Sequence, residues 1–413
     1  MNKEQEPANN QQAADINQEP YHEHNSSKII PFFLLLLAIS AIAYYFVFYH
    51  EQQVGSKEAF VDKSQKVKNY ISVTKRRNNI PRIKEALGEE LQGLNISNAD
   101  FSNVDFSNVD LSHSEFKEIQ FNGANLVNSN LSEVKCIKCD FTNAKMDSAK
   151  LQNATFTEAI MHNTELINTH MEFSNFFNAD FTSANLQNSS LREANLSSAV
   201  FNNANLEKAD LTGAQLSKAS LEKANLKEAS LYAANIVHGN LKGANLDTAF
   251  MESVNLNYAD LSHAILSKAS MSYANFSNAV FDKATLEQTN LSSSYGYKAS
   301  FKNTKISRAY ITDVDIKEAN FTNAKAEGAD FSRSNLSRSN FTNANLYHTR
   351  LVSTNFSFSI LDNANLSGSI LINANFNAAS TKATKGIKES TKALEQEKQN
   401  EEEKVAEDTE SNN

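Results

Sequence analysis

The stretch ANLEKADLTGAQLSKASLEKANLKEAS, residues 204–230, repeats one short pattern. A large apolar residue recurs every five positions, and an alanine stands two positions before each one. The large residues are Leu206, Leu211, Leu216, Leu221 and Leu226. A period of five matches neither an α-helix nor the alternation of a β-strand, and on a helix it would advance about 140° beyond a full turn at each step. The repeat therefore requires another structure that buries two of every five side chains.

The same register holds over most of the chain. From Ile96 to Phe376, every fifth residue is Leu, Phe, Ile or Met, with exceptions at Cys136, Gly296 and Ala326. A twenty-residue period is superimposed, because the column that starts at Phe101 is rich in phenylalanine. Its phenylalanines are residues 101, 121, 141, 181, 201, 281, 301, 321 and 341. If five residues form one side of a coil, twenty form a four-sided coil, and this column stacks its rings along one wall.

Polar residues follow the twenty-residue step as well. Opposite charges recur in the sets Glu207, Lys227 and Asp247, Lys208 and Glu228, and Glu222 and Lys242. Asparagines form columns at 185, 205, 225 and 245 and at 235, 255 and 275. We expect these residues to pair between successive coils, with each exposed ion pair contributing about 0.2–1 kcal/mol.

The unit A(N/D)LXX, as in Ala204-Asn205-Leu206 and Ala344-Asn345-Leu346, resembles the repeat of the pentapeptide-repeat family over residues 94–380. The resemblance implies an all-β repeat fold, a right-handed quadrilateral β-helix. In this solenoid the central Leu or Phe and the preceding small residue lie inside. About 14 coils at a strand spacing of about 4.8 Å would make it about 65–70 Å long. The absence of proline after Pro81 fits a continuous hydrogen-bonded stack.

The segments that flank the repeats differ in composition. Residues 1–28 are acidic and we expect a disordered tail, whereas residues 50–93 predict a polar stalk and a helical cap. The cap is predicted after Pro81, where apolar residues are spaced for one helical face. Residues 381–413 are rich in Lys and Glu, which predicts a charged tail that is disordered or partly helical.

Residues Ile29 to Tyr49 form an uncharged apolar run of 21 residues, enough to span a bilayer as one helix. A buried helix of a globular domain is one alternative, although no helical partners are evident. A cleaved signal peptide is another, because Ala41-Ile42-Ala43 resembles a cleavage site. The acidic segment before the run and its continuation to Tyr49 favour a retained transmembrane anchor.

Positive charges are distributed unevenly around this predicted span. Lys28 precedes it, whereas Lys57, Lys63, Lys66, Lys68, Lys75, Arg76 and Arg77 follow it. We therefore expect a single-pass protein of a bacterial inner membrane. The positive-inside rule predicts that its repeats lie in the cytoplasm. In that compartment Cys136 and Cys139 would stay reduced.

Motifs for catalysis or cofactor binding are scarce. Cys136-Ile137-Lys138-Cys139 is a CxxC motif, which can be redox-active or metal-binding. Both cysteines occupy inward positions, so we interpret them as two buried core thiols. No second CxxC or close histidine pair completes a zinc site with these cysteines, and the sequence has no phosphate loop or nucleophile elbow. It predicts a protein that is not an enzyme and that uses no cofactor or metal.

Outward aromatic residues are the best candidates for a binding surface. Tyr232, Phe250 and Tyr273 fall on one predicted wall in three successive coils, and Tyr310 extends that wall. A contiguous aromatic patch is typical of a site for a protein partner. The alternative is an incidental arrangement, because scattered exposed apolar residues are normal.

Gly296 replaces a large inward residue between Tyr295 and Tyr297. The missing side chain predicts a local distortion of the coil at this point. The distortion could be a bend or a recognition feature.

Two main classes of function fit these features. One is a membrane-anchored, non-enzymatic scaffold that presents a rigid β-helix to an unidentified protein partner. The family resemblance implies another, a DNA mimic that acts on a type II topoisomerase. Mimicry needs a concentrated negative face, but the acids alternate with lysines and the net charge is only −9. The chain also lacks the basic excess of a nucleic-acid binder. A secreted bacterial effector is a further possibility, for which we recognise no signal.

Overall fold

The computed structural model describes residues 63–77 and 81–387 of the chain. The predicted anchor Ile29 to Tyr49, the acidic tail before it and the last part of the charged tail lie outside the described residues. Two helices come first, α1 at residues 63–76 and α2 at Ile83–Leu87. Three short parallel strands follow and pair in the order β1-β2-β3: Asn95–Ser97, Glu115–Lys117 and Lys135–Ile137. Single parallel bridges continue the pairing from there to Lys385.

Backbone hydrogen bonds join residues that are about twenty positions apart. The Leu206 amide donates to the Asn225 carbonyl at 2.7 Å, and the Asn225 amide donates to the Ala204 carbonyl at 2.9 Å. Asn205, Asn225 and Asn245 form consecutive parallel bridges. One coil therefore contains twenty residues on four sides, as the sequence period predicts. Within the described residues the last bridge joins Asn365 to Lys385, so the ladder extends past the expected boundary at residue 380.

Each side of a coil ends in a tight turn whose second residue has a positive φ. The non-glycine residues at this position in the repeats have φ between 51° and 62°. Asparagine and glycine adopt this left-handed conformation most readily, which explains part of the asparagine content. The Asn or Asp before the large residue also supports the turn. Asp210, for example, accepts a hydrogen bond from the Thr212 amide at 3.0 Å.

The interior is filled by the large residues and the small residues two positions before them. Leu206, Leu226 and Phe301 are almost completely buried, and each such side chain contributes about 1.5–3 kcal/mol of transfer free energy. The predicted column of phenylalanines is confirmed. The rings of Phe301 and Phe321 stack with centroids 4.7 Å apart, and those of Phe321 and Phe341 stack at 4.6 Å.

The predicted side-chain ladders form in part. Side-chain amides bond between coils from Asn205 to Asn185, Asn225 to Asn205 and Asn245 to Asn225, at 3.0, 3.0 and 3.1 Å. Lys208 pairs with Glu228 across one coil step at 3.7 Å. Two of the expected residues instead pair with their neighbours in the chain, within one turn. Lys227 pairs with Glu228 at 3.7 Å, and Glu222 pairs with Lys223 at 3.4 Å. Long lysine side chains reach an acid next to them in the chain as easily as one in the next coil.

Helix α1 covers the start of the β-helix. Val67 and Ile71 are buried in the core, and the Ser64 hydroxyl accepts a hydrogen bond from the Asn95 amide at 3.0 Å. Residues 63–76, which the sequence assigns to the stalk, are thus packed on the repeats and cover an otherwise open sheet edge. Within residues 63–77 and 81–387, no helix has the length and apolar character needed to cross a bilayer.

The predicted distortion at Gly296 is absent, and this expectation was wrong. Tyr295 is bridged to Asn275 in the coil before and to Asp315 in the coil after. The Gly296 amide donates to the Asp315 carbonyl at 3.0 Å, so the ladder is unbroken. The ring of Phe276 occupies the space that a side chain at Gly296 would need. The coil stays regular because the neighbouring coil supplies the missing volume.

Candidate protein-binding surface

The aromatic residues singled out from the sequence lie on and between two adjacent ladders. The first ladder contains Ser230, Phe250, Ser270, Asn290 and Tyr310, and the second contains Asn235, Asn255, Asn275 and Tyr295. Phe250 and Tyr310 belong to the first ladder, whereas Tyr232 and Tyr273 lie in turns between the two. Tyr232, Phe250 and Tyr273 occur in successive coils, and one coil separates Tyr273 from Tyr310. All four side chains are exposed, by 51%, 53%, 67% and 57% in chain order.

Three further exposed aromatic residues extend this group onto the second ladder. Tyr295 lies in the coil between those of Tyr273 and Tyr310, and Tyr258 and Tyr297 lie in turns that follow the second ladder. We call the seven residues the aromatic surface: Tyr232, Phe250, Tyr258, Tyr273, Tyr295, Tyr297 and Tyr310. They span four coil steps, about 19 Å along the β-helix. The five-residue register places Tyr258, Tyr295 and Tyr297 outward, and this signal could have identified them from the sequence.

Two of these tyrosines occupy backbone positions that do not suit them. Tyr258 and Tyr273 each have a φ of 60°, in the left-handed region. A bulky residue there costs of order 1–3 kcal/mol, whereas asparagine, found at the equivalent position 278, tolerates it better. Tyr273 is also 67% exposed, so it adds little to the core. The fold therefore gains neither burial nor favourable backbone geometry from Tyr273.

Neighbouring side chains hold part of the aromatic surface in place. The Tyr297 hydroxyl donates to a Glu318 carboxylate oxygen at 3.2 Å, and the Lys298 ammonium lies 5.1 Å from the centre of the Tyr297 ring. The hydrogen bond with Tyr297 and the charge of Glu318 raise the pKa of Lys298. Tyr258 stacks on His238 with ring centres 4.9 Å apart. Rings that are already ordered lose less conformational entropy on binding.

The two cysteines differ from the sequence interpretation. Both are fully buried, as predicted, but they form a disulfide and not a pair of reduced thiols. The large inward position of one repeat and the small inward position of the next place their Cα atoms 5.7 Å apart with both side chains pointing inside, which suits a disulfide. Among the residues that the structure describes, no group of three His, Cys, Asp or Glu side chains is arranged for a metal ion.

Comparison with protein families identifies the repeat. A model described as pentapeptide repeats matches residues 90–172, 174–313 and 315–380 in overlapping segments. The chain belongs to the pentapeptide repeat family. Membership implies a right-handed quadrilateral β-helix, in agreement with the four-sided coils. Pentapeptide repeat proteins are typically non-enzymatic.

Several solved pentapeptide repeat proteins resemble the chain. HetL, involved in heterocyst differentiation regulation in the cyanobacterium Nostoc sp., is 26% identical over 56% of this chain and 90% of HetL, with a TM-score of 0.35. QnrB1, a plasmid-mediated fluoroquinolone resistance protein, is 15% identical over 52% of this chain and 91% of that one, with a TM-score of 0.32. A pentapeptide repeat protein of the Arabidopsis thaliana thylakoid lumen is 24% identical over 28% of this chain and 69% of that one, with a TM-score of 0.20. No curated protein is significantly similar in sequence.

Proposed function

We propose that this pentapeptide repeat protein is a membrane-anchored, non-enzymatic scaffold that binds a protein partner through the aromatic surface. The observation that supports this most strongly is the aromatic surface itself, seven exposed aromatic side chains within four coil steps that include Tyr273 in a left-handed turn. An exposed turn position alone does not distinguish Tyr273, because Phe358 has a similar exposure and φ. What distinguishes Tyr273 is that it lies among the other exposed aromatic residues of the aromatic surface.

The chemistry of the aromatic surface favours a protein partner. Tyrosine is enriched at the centres of protein interfaces because its ring buries a large area and its hydroxyl can still form hydrogen bonds. A regular β-helix holds these rings on a rigid frame. The surface therefore offers several ordered anchors close together.

The arrangement of charges argues against DNA mimicry. Lys298 pairs with Glu318 at 3.6 Å beside the aromatic surface, and Arg333 forms two short hydrogen bonds to Asp313. Acids neutralised in this way do not build the continuous negative face that a mimic needs. We therefore favour the scaffold over action on a topoisomerase.

The proposed anchor is the apolar run Ile29 to Tyr49, and the excess of positive residues after it supports repeats on the cytoplasmic side. The disulfide between Cys136 and Cys139 is an observation against that side, because disulfides are rare in the cytosol. Labelling of an exposed cysteine on intact cells distinguishes the two orientations.

Site-specific photo-crosslinking tests the binding proposal. Benzoylphenylalanine replaces Tyr273 in the full chain and, as a matched control, Phe358, which is 57% exposed with a φ of 59°. We expect a discrete crosslinked protein from position 273 that is absent from position 358. Equal capture from both positions, or none from position 273, would contradict the proposal.

A further inference from the structure

Helix α1 carries a concentrated positive charge. Residues 63–77, KSQKVKNYISVTKRR, contain six Lys or Arg residues and no Asp or Glu. The side that packs on the repeats is apolar, with Val67 and Ile71 buried. A second face of the helix contains residues spaced three or four positions apart: Lys68, Ser72, Lys75 and Arg76.

That face borders a cavity of about 440 Å³ between α1 and the first coil. Lys68, Lys75 and Arg76 line it from the helix, and Asn98 and Asp100 line it from the coil. The partly buried Ala99 adds apolar surface to the lining, and the almost completely buried Ile71 and Phe101 lie beneath it. The site thus combines cationic and apolar surface.

An ion pair also helps to fix the position of the helix on the coil. The Lys75 ammonium lies 2.8 Å from the Asp100 carboxylate and donates to the Asp100 carbonyl at 3.2 Å. Lys75 is therefore neutralised and has a structural role. Lys68, Arg76 and Arg77 form no ion pair with any residue that the structure describes, and their charge is available to a ligand.

We infer that this face of α1 and its cavity bind the phosphate headgroups of anionic phospholipids. The inference rests on the proposed membrane anchor, because 13 residues separate Tyr49 from Lys63 and keep the helix within reach of the bilayer. Cations within a Debye length of an anionic surface are attracted to it, by about fivefold in affinity for each Lys or Arg. The apolar lining favours a lipid over free phosphate, since a lipid carries its glycerol and acyl carbons next to the phosphate.

The experiment uses the full chain with Ser72→Cys, an exposed position in the cavity lining, labelled with a fluorophore. The native cysteines are buried and bonded to each other, so they do not compete for the label. The protein is incorporated into vesicles of phosphatidylcholine alone or with added phosphatidylglycerol. Flotation reports membrane attachment, and quenching by aqueous iodide reports the exposure of position 72.

We expect phosphatidylglycerol to protect position 72 severalfold, and high salt to remove the protection. Lys68→Gln, Arg76→Gln and Arg77→Gln together should abolish the protection. The matched control removes the same number of charges from exposed repeat positions, through Lys302→Gln, Lys305→Gln and Arg308→Gln. This control should retain the protection of position 72. Quenching that is the same in both vesicles would overturn the inference, as would protection by inorganic phosphate with phosphatidylcholine alone.

Flotation separates this inference from the anchor. Attachment to both vesicle types without protection of position 72 overturns the lipid site and supports the anchor. Attachment only when phosphatidylglycerol is present, with protection, supports the lipid site and overturns the anchor. Failure to attach to either vesicle overturns both.

Discussion

The ring of Phe276 fills the interior space at Gly296, twenty residues further along the β-helix. The two residues belong to the same column, so the Phe276 side chain fills interior space in its own coil and in the next one. The backbone ladder passes through Gly296 without interruption. Glycine is required here because any side chain would collide with the Phe276 ring.

Restoring the usual large residue at this position should therefore destabilise the protein. We expect Gly296→Leu to lower the free energy of unfolding by about 1–3 kcal/mol through overpacking. Combining it with Phe276→Leu should recover part of the loss, because the Phe276 ring no longer fills the space while Ile316 still crowds it from the following coil. Urea unfolding midpoints measure both effects, and a more stable Gly296→Leu single variant would show that the space is empty.

This position shows how far the sequence can predict the fold. The five-residue period identifies inward and outward residues because it depends only on local chain geometry, and Leu226 and Lys227 follow it. Which side chain fills the space at Gly296 depends on the rotamer of Phe276 in another coil. A local sequence pattern does not predict that rotamer. The same limit applies to the Cys136–Cys139 disulfide, which depends on the distance between the two side chains.

The candidate site was predictable in part. Tyr232, Phe250, Tyr273 and Tyr310 were recognised because they interrupt polar outward positions. Tyr295 belongs to the same surface, but the glycine that follows it predicts a backbone distortion and not a surface contact. The strained turn at Tyr273 requires a φ angle, which the sequence does not provide.

Acid should weaken the turn that Asp210 supports. Burial raises the pKa of Asp210, but hydrogen bonds from Thr212 and Arg192 outweigh burial and hold it below the ordinary 3.8. The carboxylate therefore stabilises the fold above that pH, and the contribution is lost as the pH falls through the lower pKa of the folded state. We expect Asp210→Asn to be less stable than the native chain near neutral pH and the difference to shrink in acid.

Urea unfolding at neutral pH and below the pKa of Asp210 measures this change. Asn355→Ala, which removes a ladder residue bonded to the uncharged Asn335 and Asn375, is the control and should cost about the same at both pH values. A deficit of Asp210→Asn that does not vary with pH would contradict the stated role of the carboxylate.

The cysteine pair should be dispensable for binding. The disulfide joins residues only three positions apart, so it restricts the unfolded chain little. We expect Cys136→Ala with Cys139→Ser to lower the free energy of unfolding by about 1 kcal/mol through lost packing. Crosslinking from position 273 should be unchanged. Loss of crosslinking in a variant that remains folded would restore the CxxC motif as a functional site.

Membrane orientation can be measured at Ser353, an exposed turn position. From the charge asymmetry around Ile29 to Tyr49, we expect Ser353→Cys to react with a membrane-impermeant maleimide only after cells are permeabilised. The native chain is the control, because its cysteines are buried in a disulfide. Labelling of intact cells would place the repeats outside the cytoplasm, where the disulfide is favoured.

The most direct test of the central claim measures stability and binding together in Tyr273→Asn. Asparagine suits the left-handed turn, so we expect the free energy of unfolding to stay the same or to rise by up to about 1 kcal/mol. Affinity for the partner captured at position 273 should fall about tenfold or more, as for a residue central to an interface. The control Phe358→Asn changes a similarly exposed residue in the same kind of turn and should leave affinity unchanged. Unchanged affinity in Tyr273→Asn, or an equal loss in both variants, would contradict the account.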